Sequence, residues 1–172
     1  MPRYIAVIGP SGAGIDPAVA DAAAQVGALI AEAGAILVCG GGTGAMEAAC
    51  RGARGGGGLT IGILPGGTRE EANRWVSVAL PTGMGEARNA LVVRAADAVI
   101  AVGGGVGTLS EIALALKMGR PVVGLGTWDA RLPPFAAGNE AAAEPLPVHA
   151  AGSPQEAVAA ALSLAAEAAG NS

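Results

Sequence analysis

Residues 97–111 read DAVIAVGGGVGTLSE, and the order of features in this stretch recurs through much of the chain. An apolar run over 97–102 ends in a glycine-rich turn over 103–107, and apolar residues at helical spacing follow. Such an order is typical of a strand, a tight turn and a helix in a parallel βαβ unit. The stretch therefore predicts a buried strand whose carboxyl end opens onto a helix N-terminus.

Further apolar runs of strand length lie on both sides of this stretch. They cover residues 4–9, 35–39, 59–64, 75–80, 122–125 and a short edge segment at 146–149. Because amphipathic stretches separate most of them and the runs are continuously apolar, the sheet should be parallel and covered on both faces. We predict an α/β fold, with a Rossmann-like parallel sheet of about six to seven strands and helices on both faces. The length favours a single domain over 1–172, in which the Ala- and Pro-rich segment 128–147 follows no clear pattern.

The composition excludes several classes of protein. The net charge is −4 and the ten Lys and Arg residues are dispersed, so we expect no nucleic-acid partner. Charged residues and glycines interrupt every apolar run, which predicts no membrane span, and the N-terminus has no signal-peptide pattern. A cytoplasmic location with Cys39 and Cys50 as free, buried thiols follows from this. With one histidine and no ligand spacing between the cysteines, no metal site is expected.

The glycine-rich turn after residue 102 is the first candidate for a binding site. Glycines let the backbone N–H groups approach an anion, and the start of the following helix adds partial positive charge. The candidate phosphate-binding residues here are Gly104, Gly105, Val106, Gly107 and Thr108. Glu111 lies on the same helix face as Thr108. The spacing of these two residues equally matches a capping box, in which both side chains serve only the helix.

Two more glycine-rich turns follow strands, over residues 9–14 and 40–44. The second has no lysine and is not a P-loop, and the first does not match the dinucleotide fingerprint. Their recurrence at strand ends favours a shared ligand site, although tight packing of helix on strand would explain each turn alone. The candidates in these turns are Gly9, Ser11, Gly12, Gly41, Gly42 and Thr43.

A third candidate segment begins the predicted helix over 84–96. Arg88 can bind a phosphate through two parallel hydrogen bonds, and Met84 and Asn89 flank it. The competing interpretation is a solvated arginine on an exposed helix face.

Taken together, these motifs resemble the Lonely Guy (LOG) family, long labelled lysine-decarboxylase-like, over residues 3 to about 126. The stretch LVCGGGTGAM at 37–46 and IGILP at 61–65 follow the family closely. Residues 103–111 resemble its signature P-G-G-x-G-T-x-x-E, and Arg88 falls at the position of its active-site arginine. The resemblance implies a phosphoribohydrolase, which cleaves the N-glycosidic bond of a nucleoside 5′-monophosphate without a metal or other cofactor. Arg88 and Glu111 would then be catalytic, and the glycine turn with Thr108 would hold the phosphate.

The chain departs from the LOG pattern at several positions. Gly103 replaces the signature's proline, Ser110 replaces its first glutamate, and one residue is inserted before Arg88, which no lysine follows. In these respects the chain looks closer to a subgroup that includes molybdenum cofactor carrier proteins. That resemblance implies a non-catalytic carrier, with the molybdenum cofactor (molybdopterin) or a nucleotide as cargo. Hydrolysis and carriage both remain open, and neither resemblance names the base or pterin.

Two expectations are common to both functions. The partner should be a phosphorylated small molecule, either a nucleoside monophosphate or a pterin, and the apolar helices favour a homodimer or higher homo-oligomer. Lysine decarboxylation is not expected, because a pyridoxal phosphate enzyme needs a Schiff-base lysine. The one lysine, Lys117, lies near a predicted helix C-terminus, where a cation is an ordinary feature.

Overall fold

The computed structural model of the protein describes residues 1–127 and 147–170. Its secondary structure alternates strands with helices along nearly the whole chain. The strands are β1 (Tyr4–Ile8), β2 (Ile36–Cys39), β3 (Thr60–Leu64), β4 (Val78–Pro81), β5 (Ala98–Val102), β6 (Val122–Leu125) and β7 (Val148–Ala151). The helices are α1 (Pro17–Glu32), α2 (Ala45–Gly55), α3 (Asn89–Ala95), α4 (Val106–Lys117) and α5 (Pro154–Gly170). Two 3-10 helices, Arg69–Glu71 and Gly85–Arg88, flank β4.

The strands form one parallel sheet in the order β4-β3-β2-β1-β5-β6-β7. The chain builds outward from β1 to the β4 edge, then returns to place β5 on the other side of β1. Ile5 of β1 lies between Leu37 of β2 and Ala98 of β5 in register. The strand order therefore reverses between β1 and β5, which is where ligands bind in open α/β sheets.

Helices cover both faces of the sheet. Alternate side chains of β1 separate the two layers: Ile5 and Val7 pack with α1, α2 and α5, whereas Ala6 and Ile8 pack with α3 and α4. All four side chains are 2% exposed or less, so β1 is the buried centre of the sheet. The predicted α/β fold, Rossmann-like with helices on both faces of a parallel sheet, is confirmed.

Local sequence signals account for the helix that follows β1. Asp16 accepts a hydrogen bond from the N–H of Ala18 at 2.8 Å, and Pro17 occupies the first helical position, where its missing N–H costs nothing. Gly34, at φ +69°, follows the helix in a left-handed conformation. These cap and stop residues fix the length of α1 and hence the position of the turn that precedes it.

Four elements begin or end at residues other than the predicted ones; one is the edge strand, predicted at 146–149 and found as β7 at Val148–Ala151. Strand β4 begins at Val78, because the carbonyl of Trp75 and the N–H of Ser77 bond to Thr60 in the turn before it. The predicted helix over 84–96 consists of a 3-10 turn followed by the shorter α3. Helix α4 begins at Val106, two residues before Thr108. The segment 128–147 lies outside the described residues except for Pro147, and within the described ranges no helix has the length and apolarity to cross a membrane.

Candidate functional site

A cavity of about 340 Å³ lies at the carboxyl ends of β1 and β5. Its walls are formed by the end of β1 and the turn after it, by Met46 of α2, by the 3-10 helix that leads into α3, and by the start of α4. Its volume is at the lower end of the range for small-molecule sites. The cavity is therefore placed and sized for a compact ligand at the point where the strand order reverses.

The start of α4 presents polar groups to the cavity. Gly105 is the residue before the helix, and no side chain caps the first turn. Thr108 is 3% exposed, and its Oγ1 has no hydrogen-bond partner anywhere in residues 1–127 or 147–170. Burying a hydroxyl without a partner costs about 1–3 kcal/mol, so such groups in native proteins usually serve a ligand or water. The first turn of α4 has the free N–H groups and dipole that bind anions.

The capping-box interpretation of Thr108 and Glu111 does not hold in the structure. A capping box requires Thr108 to precede the helix, whereas it lies inside the first turn. Ser110, at the position of the signature's first glutamate, donates a hydrogen bond to the carbonyl of Gly107 at 2.7 Å. The Ser110 hydroxyl thus bonds the helix backbone, and Thr108 and Glu111 are left to face the cavity.

Arg88 is 8% exposed, so it is not the solvated arginine of the competing interpretation. Its Nη1 donates to Oδ1 of Asn89 and lies 4.0 Å from Oε1 of Glu111. Its guanidinium packs against Gly40 at the end of β2, where a Cβ would come within 2.5 Å of Nη2. The Nε of Arg88 has no partner in the part of the chain that the structure describes. A buried guanidinium with unused donor capacity is well suited to an anionic or carbonyl-bearing ligand.

Burial raises the pKa of Glu111 to about 7, since desolvation disfavours its charged form. The Arg88 guanidinium opposes this and lowers the pKa, whereas the carboxylate of Glu86 raises it further. A carboxyl group that titrates near neutral pH inside a cavity is able to accept or donate a proton there. Glu111 is therefore the group with acid–base capacity among the predicted site residues.

The glycine turn after β2 is hydrogen-bonded to other parts of the chain. Oγ1 of Thr43 accepts a hydrogen bond from the N–H of Gly12 at 3.2 Å. The side chain of Asn73 donates to the carbonyls of Gly41 and Gly42. These bonds pair the polar groups of the turn with other groups of the protein. The turn holds the β1 loop in place and does not line the cavity.

The structure brings together most of the predicted site residues. Those that line the cavity are Gly9, Ser11, Arg88, Asn89, Gly105, Val106, Gly107, Thr108 and Glu111. Those that do not line it are Gly12, Gly41, Gly42, Thr43, Met84 and Gly104. Met84 is 48% exposed to solvent at the start of the second 3-10 helix.

Sequence reasoning missed several residues that line the cavity. They are Val7, Ile8, Pro10, Met46 and Glu86. Glu86 had a usable signal, because it is a carboxylate two residues before Arg88 in a segment already singled out. Met46 had none, since its place at the cavity depends on how α2 packs behind the β1 turn.

The two cysteines lie side by side in the core. Cys39 and Cys50 are free and buried, with their sulfur atoms 3.5 Å apart. In the described ranges no group of three or more His, Cys, Asp or Glu side chains is arranged to hold a metal ion.

Known proteins to which the chain is similar include LOG-like and molybdenum cofactor carrier proteins. The SLOG cluster4 family matches residues 2–158. The molybdenum cofactor binding protein of Rippkaea orientalis is 38% identical, with a TM-score of 0.83 over 95% of this chain and 98% of that one. The molybdenum cofactor carrier protein of Chlamydomonas reinhardtii is 36% identical, with a TM-score of 0.81 over 96% and 99%. Both aspects of the predicted resemblance are confirmed.

A curated relative from rice, Oryza sativa subsp. japonica, is named as a hydrolase. It is a probable cytokinin riboside 5′-monophosphate phosphoribohydrolase, 39% identical over 94 residues, which are 53% of this chain and 38% of that protein. The aligned stretches cover 66% and 38% of the length of curated relatives that the chain matches. The similarity to the rice protein therefore concerns only part of it.

Proposed function

Since the chain belongs to the SLOG cluster4 family, we propose that it binds and carries a phosphorylated pterin of the molybdenum cofactor type. The ligand's phosphate lies on the first turn of α4, and its ring system extends toward Arg88 and Glu111. The observation that carries this proposal is the buried, unpartnered hydroxyl of Thr108 beside free helix N–H groups. A phosphate oxygen supplies the acceptor that this hydroxyl lacks.

The named structural relatives support a pterin as the ligand. One is named as a protein that binds the molybdenum cofactor and the other as a protein that carries it, and both align over nearly their whole length with this chain. The cavity has one buried cation, Arg88, and no metal-binding cluster within the described residues. The protein thus holds such a ligand through its phosphate and ring edges, and the metal is carried as part of the cargo.

Hydrolysis of a nucleoside 5′-monophosphate is the second candidate. It is favoured by the carboxyl of Glu111, which has a pKa of about 7 and lies 4.0 Å from the Arg88 guanidinium. In this reaction Glu111 would stabilise positive charge on the ribose or activate water, and the products would be a free base and ribose 5-phosphate. The departures from the LOG pattern around Arg88, with one residue inserted before it and no lysine after it, weigh against hydrolysis.

Calorimetric titration combined with a product assay tests both candidates on the same protein. Molybdopterin and the common nucleoside monophosphates are titrated, and each mixture is then assayed for ribose 5-phosphate at high protein concentration. We expect saturable binding without release of ribose 5-phosphate. Release would establish the hydrolase instead, and an absence of heat with every ligand would overturn both.

A further inference from the structure

A second carboxylate, Glu86, lies on the wall of the cavity that the second 3-10 helix forms. Its side chain is exposed at the cavity's edge, and Oε2 accepts a long hydrogen bond of 3.5 Å from Nδ2 of Asn89. Glu86, Asn89, Arg88 and Glu111 thus form a row of polar groups along one side of the cavity. Neither of the functions weighed above uses Glu86.

This row gives the cavity an uneven distribution of donors and acceptors. The α4 start offers N–H groups and the Thr108 hydroxyl, whereas the row ends in a carboxylate on each side of one guanidinium. A phosphate placed against Glu86 would meet like charge, so the phosphate belongs at α4. The part of the ligand that reaches Glu86 must therefore carry hydrogen-bond donors.

We propose that Glu86 selects ligands whose ring presents an N–H and an adjacent NH₂ group, the 2-amino-4-oxopyrimidine edge that pterins and guanine share. A carboxylate has two oxygens that accept from two such donors at once, in the geometry it also uses with arginine. This inference rests on the proposed function, because it assumes that a phosphorylated ring compound occupies the cavity. Beyond the proposed function, it specifies which edge of the ligand's ring the protein recognises.

The electrostatics of the cavity agree with this assignment. The negative charge of Glu86 is felt at Glu111, whose pKa it raises. Two carboxylates that oppose each other's ionisation favour a ligand that brings N–H donors between them. Adenine and hypoxanthine lack the 2-amino group, so rings of those types leave at least one oxygen of Glu86 without a donor.

Guanosine and inosine 5′-monophosphate differ by that 2-amino group, which makes them a matched pair of probes. We expect the wild-type protein to bind the guanine nucleotide roughly tenfold more tightly, about the effect of one hydrogen bond to a charged group. In Glu86→Gln the preference should fall to about twofold or less, because the amide offers one acceptor and turns an N–H toward the ring N–H. A pterin with a phosphate ester on its 6-substituent is titrated in parallel. Its affinity, compared with that of guanosine 5′-monophosphate, shows whether the pterin or the guanine ring binds more tightly.

Glu70→Gln is the matched control, since Glu70 is an exposed carboxylate on the other 3-10 helix and does not line the cavity. It should keep the wild-type preference. Equal binding of the two nucleotides by the wild type, or an unchanged preference in Glu86→Gln, would overturn the assignment and leave the proposed function standing. If no phosphorylated compound binds at all, the proposed function itself fails.

Discussion

Glu111 links the stability of the protein to pH. Its pKa is raised from 4.5 to about 7 in the folded state, mainly by burial, so folding favours the protonated form. The stabilising contribution of Glu111 to the free energy of unfolding is complete below pH 4.5 and is lost as the pH rises through 7. Relative to Glu111→Gln, the free energy of unfolding of the wild type should fall by about 3 kcal/mol between pH 4.5 and pH 8.

Urea unfolding of both proteins at the two pH values measures this difference. The glutamine variant serves as the reference, because it keeps the shape of the side chain and does not titrate. A gap between the two proteins that stays constant with pH would mean that Glu111 titrates as an ordinary surface carboxyl.

The Arg88 guanidinium lies close against Gly40. The three atoms nearest to a Cβ at this position, at 2.5–2.8 Å, all belong to the Arg88 guanidinium, and the backbone has no left-handed conformation there. Gly40→Ala should therefore fold normally, but its added methyl group should displace the guanidinium from its observed position. The affinity for guanosine 5′-monophosphate should then fall at least roughly tenfold. Calorimetric titration measures the affinity, and circular dichroism checks the fold.

Gly67→Ala is a suitable control for this substitution. An added Cβ at Gly67 would meet nothing within 4 Å, and the residue lies in a turn that does not line the cavity. The control should bind as the wild type does. If Gly40→Ala also binds normally, Arg88 does not need its observed position to hold the ligand.

Among the secondary-structure elements, the start of α4 is the one on which the proposed phosphate site depends. Replacing Thr108 by valine keeps the shape of the side chain and removes a buried hydroxyl that has no partner within the described residues. The protein should become no less stable, and by up to about 1 kcal/mol more stable, because an unsatisfied polar group is lost. Its affinity for a phosphorylated ligand should fall roughly tenfold.

Thr60→Val is the matched contrast for urea unfolding. Thr60 is equally buried, but its Oγ1 donates to the carbonyl of Trp75 at 2.7 Å. That variant should lose about 1–2 kcal/mol of stability without a change in ligand affinity. A loss of stability in Thr108→Val with unchanged binding would show that the Thr108 hydroxyl serves the helix only.

The elements were predictable where one local signal dominated. Apolar runs gave β1, β2, β3, β5 and β6 to within a residue or two, because each is buried on both faces and needs no polar alternation. The start of α4 was misplaced because Thr108 and Glu111 have capping-box spacing, whereas the helix begins after Gly105 without a side-chain cap. The β4 start was misplaced because Trp75 and Val76 are apolar residues in a turn.

The site was only partly predictable, for a related reason. Glycine turns after strands indicate where backbone N–H groups gather, and residues of the turns after β1 and β5 line the cavity. They did not reveal that Asn73 and Gly12 would use the polar groups of the turn over 40–44, since those bonds join residues about 30 positions apart. Glu86 lines the cavity from a 3-10 turn that leads into α3, where the sequence predicted an α-helix.

At the scale of the whole molecule, the predicted homodimer stays a prediction. The side chain of Leu91 on α3 is 39% exposed, as expected if one face of this helix packs on the sheet and another meets a second copy. Light scattering of the purified protein should give twice the mass of one chain or a higher multiple. A mass equal to that of one chain would refute the prediction.

The order of strands explains why one cavity collects the polar groups. The chain leaves β1 in one direction and returns at β5 on its other side, so the turns after these strands open apart and leave room between them. A second cavity, lined by Arg69 and Arg74 near the β4 edge, offers an alternative place for an anion. The proposed function requires the ligand to bind in the first cavity.

A crystal structure with guanosine 5′-monophosphate bound tests this most directly, because it locates the phosphorus atom. We predict phosphate oxygens within about 3.2 Å of backbone N–H groups at the start of α4 and of Oγ1 of Thr108. A phosphate bound against Arg69 and Arg74, with the cavity between β1 and β5 unoccupied, would contradict the account.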